Sequence, residues 1–518
     1  MFADRPFLNE VKARAESWAL INREAVADQE ARTYIQGLWN QLLDPACGDV
    51  CNWDAPNAQS WCDAVMELLA ISDAASEGMG FYAPTDKYPL VDFLVNEHRL
   101  RSQKSAQTLP HIPWSLCYMV PPEEACVQPK NRTPNLGCTL RNWSHNLALL
   151  PSVGQVSTTW LIGNEPSDDA LTSPELQTMN ILFVPFPYVI DNNCFVANEA
   201  LVDQERDAYR RSRLRSRYFR VAQNWLTTCG RELTAAELTQ FLSELINVSE
   251  NTHHAVNAIV MPELALTETL AIDIARRLAG QRNLELFVCG VATEVQANRL
   301  PRNSVYSCIY QNGRVLTDWM QSKHHRWMLQ ESQITSYHLT DRLHPHACWW
   351  EKIDIEDRKC AFYVFKHGMS VVTLICEDLA RIDPVQAVIR AVGPNLVLAL
   401  LMDGPQLAER WGARYATVLA DDPGSAVLVL TSMGLLRRQA VPPEEPAREV
   451  MIWKGAEGKP IPVPLTPGNH SLLLTLTPVQ ETGFTMDGRS DEGMSLGLKL
   501  SDWHQIKHPT PPVWARND

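Results

Sequence analysis

The sequence predicts an α/β protein preceded by a largely helical N-terminal region, and three observations predict it. The chain has 518 residues, beyond one ordinary domain of roughly 100–200. Hydrophobic residues make up 45% and charged residues 20%, a globular balance that excludes a mostly disordered, fibrous or collagen-like chain. From about residue 176 onward, short apolar runs alternate with amphipathic segments, the pattern of a sheet covered by helices.

The first hundred residues read as helices. Glu10–Leu43 carries apolar residues at helical spacing with few breakers, and Ala58–Ile71 and Tyr88–Leu100 repeat the pattern over shorter stretches. Between Leu109 and Pro174, prolines, Trp143, Trp160 and runs such as Leu147–Leu150 suggest loops and a few strands. Polar Asn164–Thr178 marks the expected boundary. Residues 1–170 then form an N-terminal domain, 176–480 the α/β domain and 481–518 a C-terminal tail.

Asn180–Ile190 reads as a buried strand closed by prolines. Glu205–Leu226 reads as an Arg-rich helix, and Thr234–Ile246 as an amphipathic one with Thr234 as N-cap and Glu237 three residues on. Ala255–Met261, Thr267–Ala279 and Leu284–Val291 follow as strand, helix and strand. Ser304–Tyr310 and Arg314–Trp319 flank Gln311-Asn312-Gly313, a hairpin signal. Phe362–Lys366 and Ser370–Ile375 pair around His367-Gly368. Pro384–Val392 and Leu407–Leu419 are helical, while Asn395–Leu401, Ala426–Thr431 and Ser471–Leu476 are strands.

Charge limits the partners. Lys and Arg number 46 against 60 Asp and Glu, a formal charge of −14 that disfavours nonspecific binding to nucleic acid or anionic membrane. Against this stand seven Arg residues in segment 205–220 (206, 210, 211, 213, 215, 217, 220). They form either a solvated or intersubunit face or a site for an acidic partner such as nucleic acid. The longest apolar stretches, near Leu396–Met402 and Ala426–Leu430, fall far short of the ~20 residues of a membrane span. No signal-like apolar run opens the chain. Thirteen scattered Cys read as reduced thiols, so a soluble cytoplasmic protein is expected. Cys47 and Cys51 lack a second pair at ligand spacing, and no metal site is expected there.

Three segments set a reactive side chain immediately after an apolar strand, where α/β folds gather their chemistry. Ala258-Ile259-Val260-Met261-Pro262-Glu263 ends in a carboxylate, costly at a buried strand end unless used or paired. An N-capping or solvated Glu is the plain alternative. Lys323-His324-His325 follows the strand ending near Trp319, and such a Lys is commonly only solvated. Val371-Val372-Thr373-Leu374-Ile375-Cys376-Glu377-Asp378 ends a β-branched strand in a Cys, either a nucleophile or a small buried hydrophobe.

Together these segments resemble the carbon–nitrogen hydrolase, or nitrilase, superfamily, which uses a Glu, a Lys and a Cys in this chain order. Pro262-Glu263, Lys323-His324-His325 and Cys376-Glu377-Asp378 match its three contexts, and Asn303-Ser304-Val305-Tyr306 through Asn312-Gly313-Arg314-Val315 is similar to its hairpin before the Lys. A second Glu eight residues past the Lys is a family feature, and Glu331 stands there. After the following strand the chain departs from the family, with Leu401-Met402-Asp403-Gly404-Pro405.

The resemblance spans roughly 176–476 and implies a four-layer α-β-β-α sandwich. It also implies hydrolysis of a non-peptide carbon–nitrogen bond, with Glu263 as base, Cys376 as nucleophile, Lys323 and the backbone N–H of Glu377 as oxyanion donors, and Glu331 holding Lys323. A thiol with a pKa near 8.5 needs a base, and Glu263 and Lys323 are expected to favour its thiolate, making Cys376 the most readily alkylated Cys. No metal and no organic cofactor is required. Cys376-Glu377 looks closer to amidase and glutaminase branches than to true nitrilases, where Trp commonly follows the Cys, so a small-molecule carboxamide is the expected substrate. A homo-oligomer paired through the helices flanking the Cys strand is implied as well. The rival reading is a catalytically idle module of the same fold, serving assembly, sensing or partner binding.

Overall fold

The apolar runs after residue 156 build two seven-stranded sheets. The computed structural model describes residues 13, 29–43, 58–75, 125–132, 144, 147–151, 156–162, 178–197, 217–293, 300–355, 358–365, 369–439, 446–482 and 494–517. In chain order the sheet strands are β1 (Ser157–Ile162), β2 (Met179–Phe183), β3 (Ala258–Thr267), β4 (Leu286–Ala292), β5 (Asn303–Gln311), β6 (Arg314–Ser322) and β7 (Lys359–Phe365). There follow β8 (Met369–Ile375), β9 (Leu396–Leu400), β10 (Ala426–Leu430), β11 (Glu449–Lys454), β12 (Ile461–Pro464), β13 (Ser471–Thr482) and β14 (Met494–Ile506). The helices are α1 (Gln29–Leu43), α2 (Ala58–Ala75), α3 (Ala235–Thr252), α4 (Glu268–Leu278), α5 (Glu331–Ser336), α6 (Ala387–Val392), α7 (Trp411–Asp421) and α8 (Met433–Gln439).

One sheet runs β6-β5-β4-β3-β2-β13-β14 and the other β12-β11-β10-β9-β8-β7-β1. Parallel pairs occupy their centres, β2 with β3 with β4 in one and β8 with β9 with β10 in the other. Central strands such as β9 and β10 are buried at every residue, as parallel strands covered on both faces must be. Both sheets contribute to one continuous apolar core. Gln321 bolts them together: its amide donates to the Thr373 carbonyl at 2.9 Å, and its oxygen accepts from Ala361 N–H at 2.9 Å.

Local signals behave as written. Thr234 and Glu237 form a reciprocal capping box at the start of α3, and Thr267 caps α4. Asn312 and Gly313 both take positive φ (52° and 71°) between β5 and β6, the geometry a two-residue hairpin demands.

The chain departs from the expected organisation in three places. The strand on the N-terminal side of the expected boundary, β1, pairs in parallel with β7, and Trp160 stacks on Phe362 at 4.7 Å. Asn131 is stitched in too, its side-chain amide donating to Ser370 Oγ and Asn395 Oδ1 at 2.9 Å each. An otherwise open strand edge is thereby satisfied from a distance along the chain. The segment expected as a tail supplies β14, which pairs along β13 and closes that sheet. The Arg-rich helix lies outside the described residues up to 216; from Arg217 to Val221 the chain is a strand between Phe195–Ala197 and Trp349–Glu351. Phe219 packs in a cluster with Phe195 and Trp327 and Arg217, on the same face, lies over the Trp349 ring, while Tyr218 and Arg220 are exposed, an alternation five residues are too short to reveal. The expected helix at 88–100, most of that at 10–28, and Cys47 and Cys51 lie outside the described residues. Among described residues, no helix is long and apolar enough to cross a membrane.

Candidate active site

Pro262-Glu263 interrupts β3. The β3–β4 register runs Met261 to Cys289, then resumes Leu266 to Val291, so four residues bulge past Gly290. Leu264 adopts φ 57° within the bulge and is held there by burial against Trp327 and Leu435 in an apolar cluster. Gly290 is required: a Cβ there would lie 2.4 Å from Glu263 Cα and from the Pro262 carbonyl oxygen. The bulge turns a strand residue into a carboxylate that is buried and aimed at the ends of other strands.

Lys323 follows β6 directly, and its backbone N–H donates to the Asn303 carbonyl at 2.8 Å. Its ammonium donates to Glu263 Oε1 and to Glu351 Oε2, 2.8 Å each, with no side-chain exposure. Asn303, also fully buried, spends both hydrogens of Nδ2 on the same two carboxylates, at 2.7 Å to Glu263 Oε1 and 2.8 Å to Glu351 Oε1. Glu351 Oε2 further accepts Trp327 N–H at 3.1 Å. Both oxygens of Glu351 are thus engaged, whereas Glu263 Oε2 is buried without a hydrogen-bond partner.

Cys376 follows β8 and opens a 3₁₀ turn, with φ 47°. A non-glycine residue in that region carries strain of order 1–3 kcal/mol that surrounding structure must impose. Asp378, buried in the same turn, supplies a restraint: its carboxylate accepts His324 N–H at 3.1 and 3.2 Å and bonds His325 Nδ1 at 2.9 Å. The turn bearing Cys376 and the turn bearing Lys323 are therefore tied by one carboxylate.

Electrostatics bring the three predicted side chains into one field. Burial raises the Glu263 carboxyl, Glu351 adds to the rise, and Lys323 and Asn303 oppose it. Burial alone would lower Lys323, but Glu263, Glu351 and Cys376 together hold it well above an ordinary lysine. Burial pushes the Cys376 thiol well above its ordinary value, Glu263 pushes the same way, and Lys323 only partly offsets them. Of the expectation that Glu263 and Lys323 both favour the thiolate, only the Lys323 half agrees in direction: burial at 2% exposure and the Glu263 charge both push the thiol up. Burial also raises Glu377, whose backbone N–H stands at the start of the 3₁₀ turn, where donors lack partners within the helix.

Glu331 does not join this group. After Lys323 the chain makes a two-residue strand and then enters α5, whose first residue is Glu331. Its side chain is 65% exposed, 3.5 Å from His346 Nδ1. Glu351, ending the Trp349–Glu351 strand, takes the place expected of Glu331 beside Lys323. A signal existed: an acid at the end of an aromatic strand, the same logic that singled out Glu263. Trp349 itself packs in an apolar cluster. Asp403, in the segment where the family pattern breaks, also faces Cys376 electrostatically and accepts Tyr337 Oη–H (2.7 Å), Arg410 Nη2 (2.9 and 3.0 Å) and Trp411 Nε1 (2.8 Å). Among described residues no group of three or more His, Cys, Asp and Glu is placed to hold a metal ion.

No protein-family model and no curated protein matches the chain. Several solved structures are similar to it. A glutamine-dependent NAD(+) synthetase from Cytophaga hutchinsonii matches at 13% identity and TM-score 0.29, over 57% of this chain and 42% of that one. The chain thus spans less than half the length of that enzyme. An amidase of the nitrilase superfamily from Nesterenkonia AN1 matches at 12% identity and TM-score 0.31, over 57% and 89%. Nit3 of Saccharomyces cerevisiae, a member of branch 10 of the nitrilase superfamily, matches at 10% identity and TM-score 0.32, over 64% and 90%. Overlap of this extent leaves the activity to be read from the side chains themselves.

Proposed function

We propose that this chain is a nitrilase-type carbon–nitrogen hydrolase that cleaves an amide through a thioester on Cys376. The observation that carries the reading is the convergence of Glu263 from a bulge in β3, Lys323 from the end of β6 and Cys376 from the end of β8 into one buried site, with Glu263 Oε2 free to take a proton. In this reading the two sheets lie face to face between helical layers, as α-β-β-α.

Glu263, its carboxyl raised by burial, takes the Cys376 proton as sulfur bonds to the amide carbon. Negative charge gathers on the carbonyl oxygen, where the Lys323 ammonium and the Glu377 N–H stabilise it. Such preorganised donors lower a barrier by about 3–4 kcal/mol each. Glu263 returns the proton to nitrogen, the C–N bond breaks, and ammonia or an amine leaves. Water then gives a proton to Glu263 and attacks the thioester; the C–S bond breaks, the acid departs, and the thiolate recovers its proton. Glu351 keeps Lys323 in place throughout. The nine described Cys are free, which fits a cytoplasmic setting.

The test is intact-protein mass spectrometry after exposure to aliphatic amides, glutamine, carbamoyl compounds and aliphatic nitriles, with ammonia release measured alongside. An acyl adduct on Cys376 with amides is expected. Nitrile turnover exceeding every amide by about tenfold, roughly 1.4 kcal/mol in the barrier, reverses the substrate class. No adduct and no ammonia from any compound favours the idle-module reading.

A further inference from the structure

Nothing in the established logic of a Glu–Lys–Cys site requires a fourth residue to touch both acids, yet Asn303 does. It is the first residue of β5, fully buried, and its single Nδ2 bridges Glu263 Oε1 and Glu351 Oε1 while its backbone carbonyl oxygen accepts Lys323 N–H. Lys323 Nζ bridges the same two carboxylates from its own position, closing a ring of hydrogen bonds. Two donors saturate Glu263 Oε1; none reaches Oε2.

We infer that Asn303 is a positioning residue: it pins Glu263 by one oxygen so that the other, Oε2, is the atom that takes the Cys376 proton. The inference rests on the reading of Glu263 as the base. Lys323 alone cannot fix the carboxylate, because one donor leaves rotation about the terminal torsion, which is broad for Glu. Two donors from different strands, converging on one oxygen, define its plane. A donated hydrogen bond also favours the charged carboxylate and so counters the burial that raises Glu263. Asn suits this place over Asp, which offers no second hydrogen, and over Gln, whose extra methylene a fully buried position does not admit.

The experiment follows alkylation of Cys376 by iodoacetamide, read by peptide mass spectrometry across pH, in the wild-type chain and in Glu263→Gln, Asn303→Ala, Asn303→Asp and Ser307→Ala. No substrate need be known. In the wild type, the rate rises with pH through a step set by Glu263 deprotonation, and Glu263→Gln removes that step. Asn303→Ala moves the step upward by about one pH unit, from loss of one donor to a carboxylate, and lowers the plateau rate. Asn303→Asp, which keeps the size but adds a third acid, moves it the same way and guards against a variant that fails to fold. Ser307→Ala, a buried polar change two turns of the pleat along β5, leaves the step in place.

If both Asn303 variants are folded by circular dichroism and reproduce the wild-type profile while Glu263→Gln changes it, the positioning role is overturned and the base stands. If Glu263→Gln itself reproduces the wild-type profile, the base reading fails. A step that moves equally in Ser307→Ala assigns the effect to strand packing and also overturns the role of Asn303.

Discussion

Glu263 and Glu351 flank one ammonium, but only Glu263 has an oxygen without a partner, and on the proposed reading this asymmetry makes Glu263 the base and Glu351 the residue that holds Lys323. Glu263→Gln, Lys323→Met and Cys376→Ala are each expected to lower turnover by on the order of 10³-fold or more, with double variants scarcely worse, because the three act as a unit. Glu351→Gln lowers it by about 10²-fold through misplaced Lys323, whereas Glu331→Gln, on an exposed helix start, leaves it unchanged. Turnover measured for this set with one amide decides which glutamate serves the lysine. Because the Glu263 carboxyl is raised, it is protonated, and unable to accept, at pH values where an ordinary carboxylate would already be ionised. Activity therefore falls as pH drops through that raised pKa, and the acid limb of kcat/KM against pH lies above the ordinary carboxylate range. Brief iodoacetamide treatment should label exposed Cys229 and Cys348 ahead of buried Cys376, as peptide mapping will show.

At the scale of elements, the β3 bulge exists because β4 offers no side chain at Gly290. Gly290→Ala forces a methyl into the Glu263 backbone. An overpacking cost of about 1–3 kcal/mol is expected, together with loss of turnover, since relief must move Glu263. Denaturant melts and turnover on the same sample test both. The capping box of α3 gives the contrast: Thr234→Ala should cost about 1 kcal/mol and leave turnover intact, because no residue of α3 is a hydrogen-bond partner of Glu263, Lys323 or Glu351. Arg231, then Thr234, lower Glu237 from 4.5 to about 2, so the support the cap gives α3 is complete above pH 4.5 and is lost as pH falls toward 2. The cap was legible because capping chemistry is local; the bulge was not, since it depends on Gly290 of the neighbouring strand. The Arg217–Val221 strand was not, since its partners lie at Phe195–Ala197 and Trp349–Glu351.

At the scale of the molecule, the segments flanking the Cys strand leave apolar side chains in solvent: Ile382 at 68%, with Val418 and Tyr415 on α7 also exposed. A second copy covering this face would bury them. Light scattering at micromolar concentration is expected to give an oligomer, and Ile382→Asp combined with Val418→Asp to give a monomer with native circular dichroism. A monomeric wild-type chain counts against the pairing.

By itself the sequence determined what depends on neighbours along the chain. It set the strand runs of β8, β9 and β10, the Asn312-Gly313 hairpin, the cap of α3, and the placement of Lys323 and Cys376 at strand ends, whereas Glu263, expected after its strand, sits in a bulge within β3. Each follows from apolar pattern or turn chemistry within a dozen residues. Tertiary structure alone decided that β1 and β14 complete the two sheets, because an open strand edge accepts any segment that reaches it. It decided that Glu351 rather than Glu331 meets Lys323, because the direction of a side chain is set by the path of the whole intervening loop. It also decided that burial and Glu263 push the Cys376 thiol up while Lys323 opposes them, because a pKa answers to burial and to charges brought from other strands, and neither is written beside the cysteine.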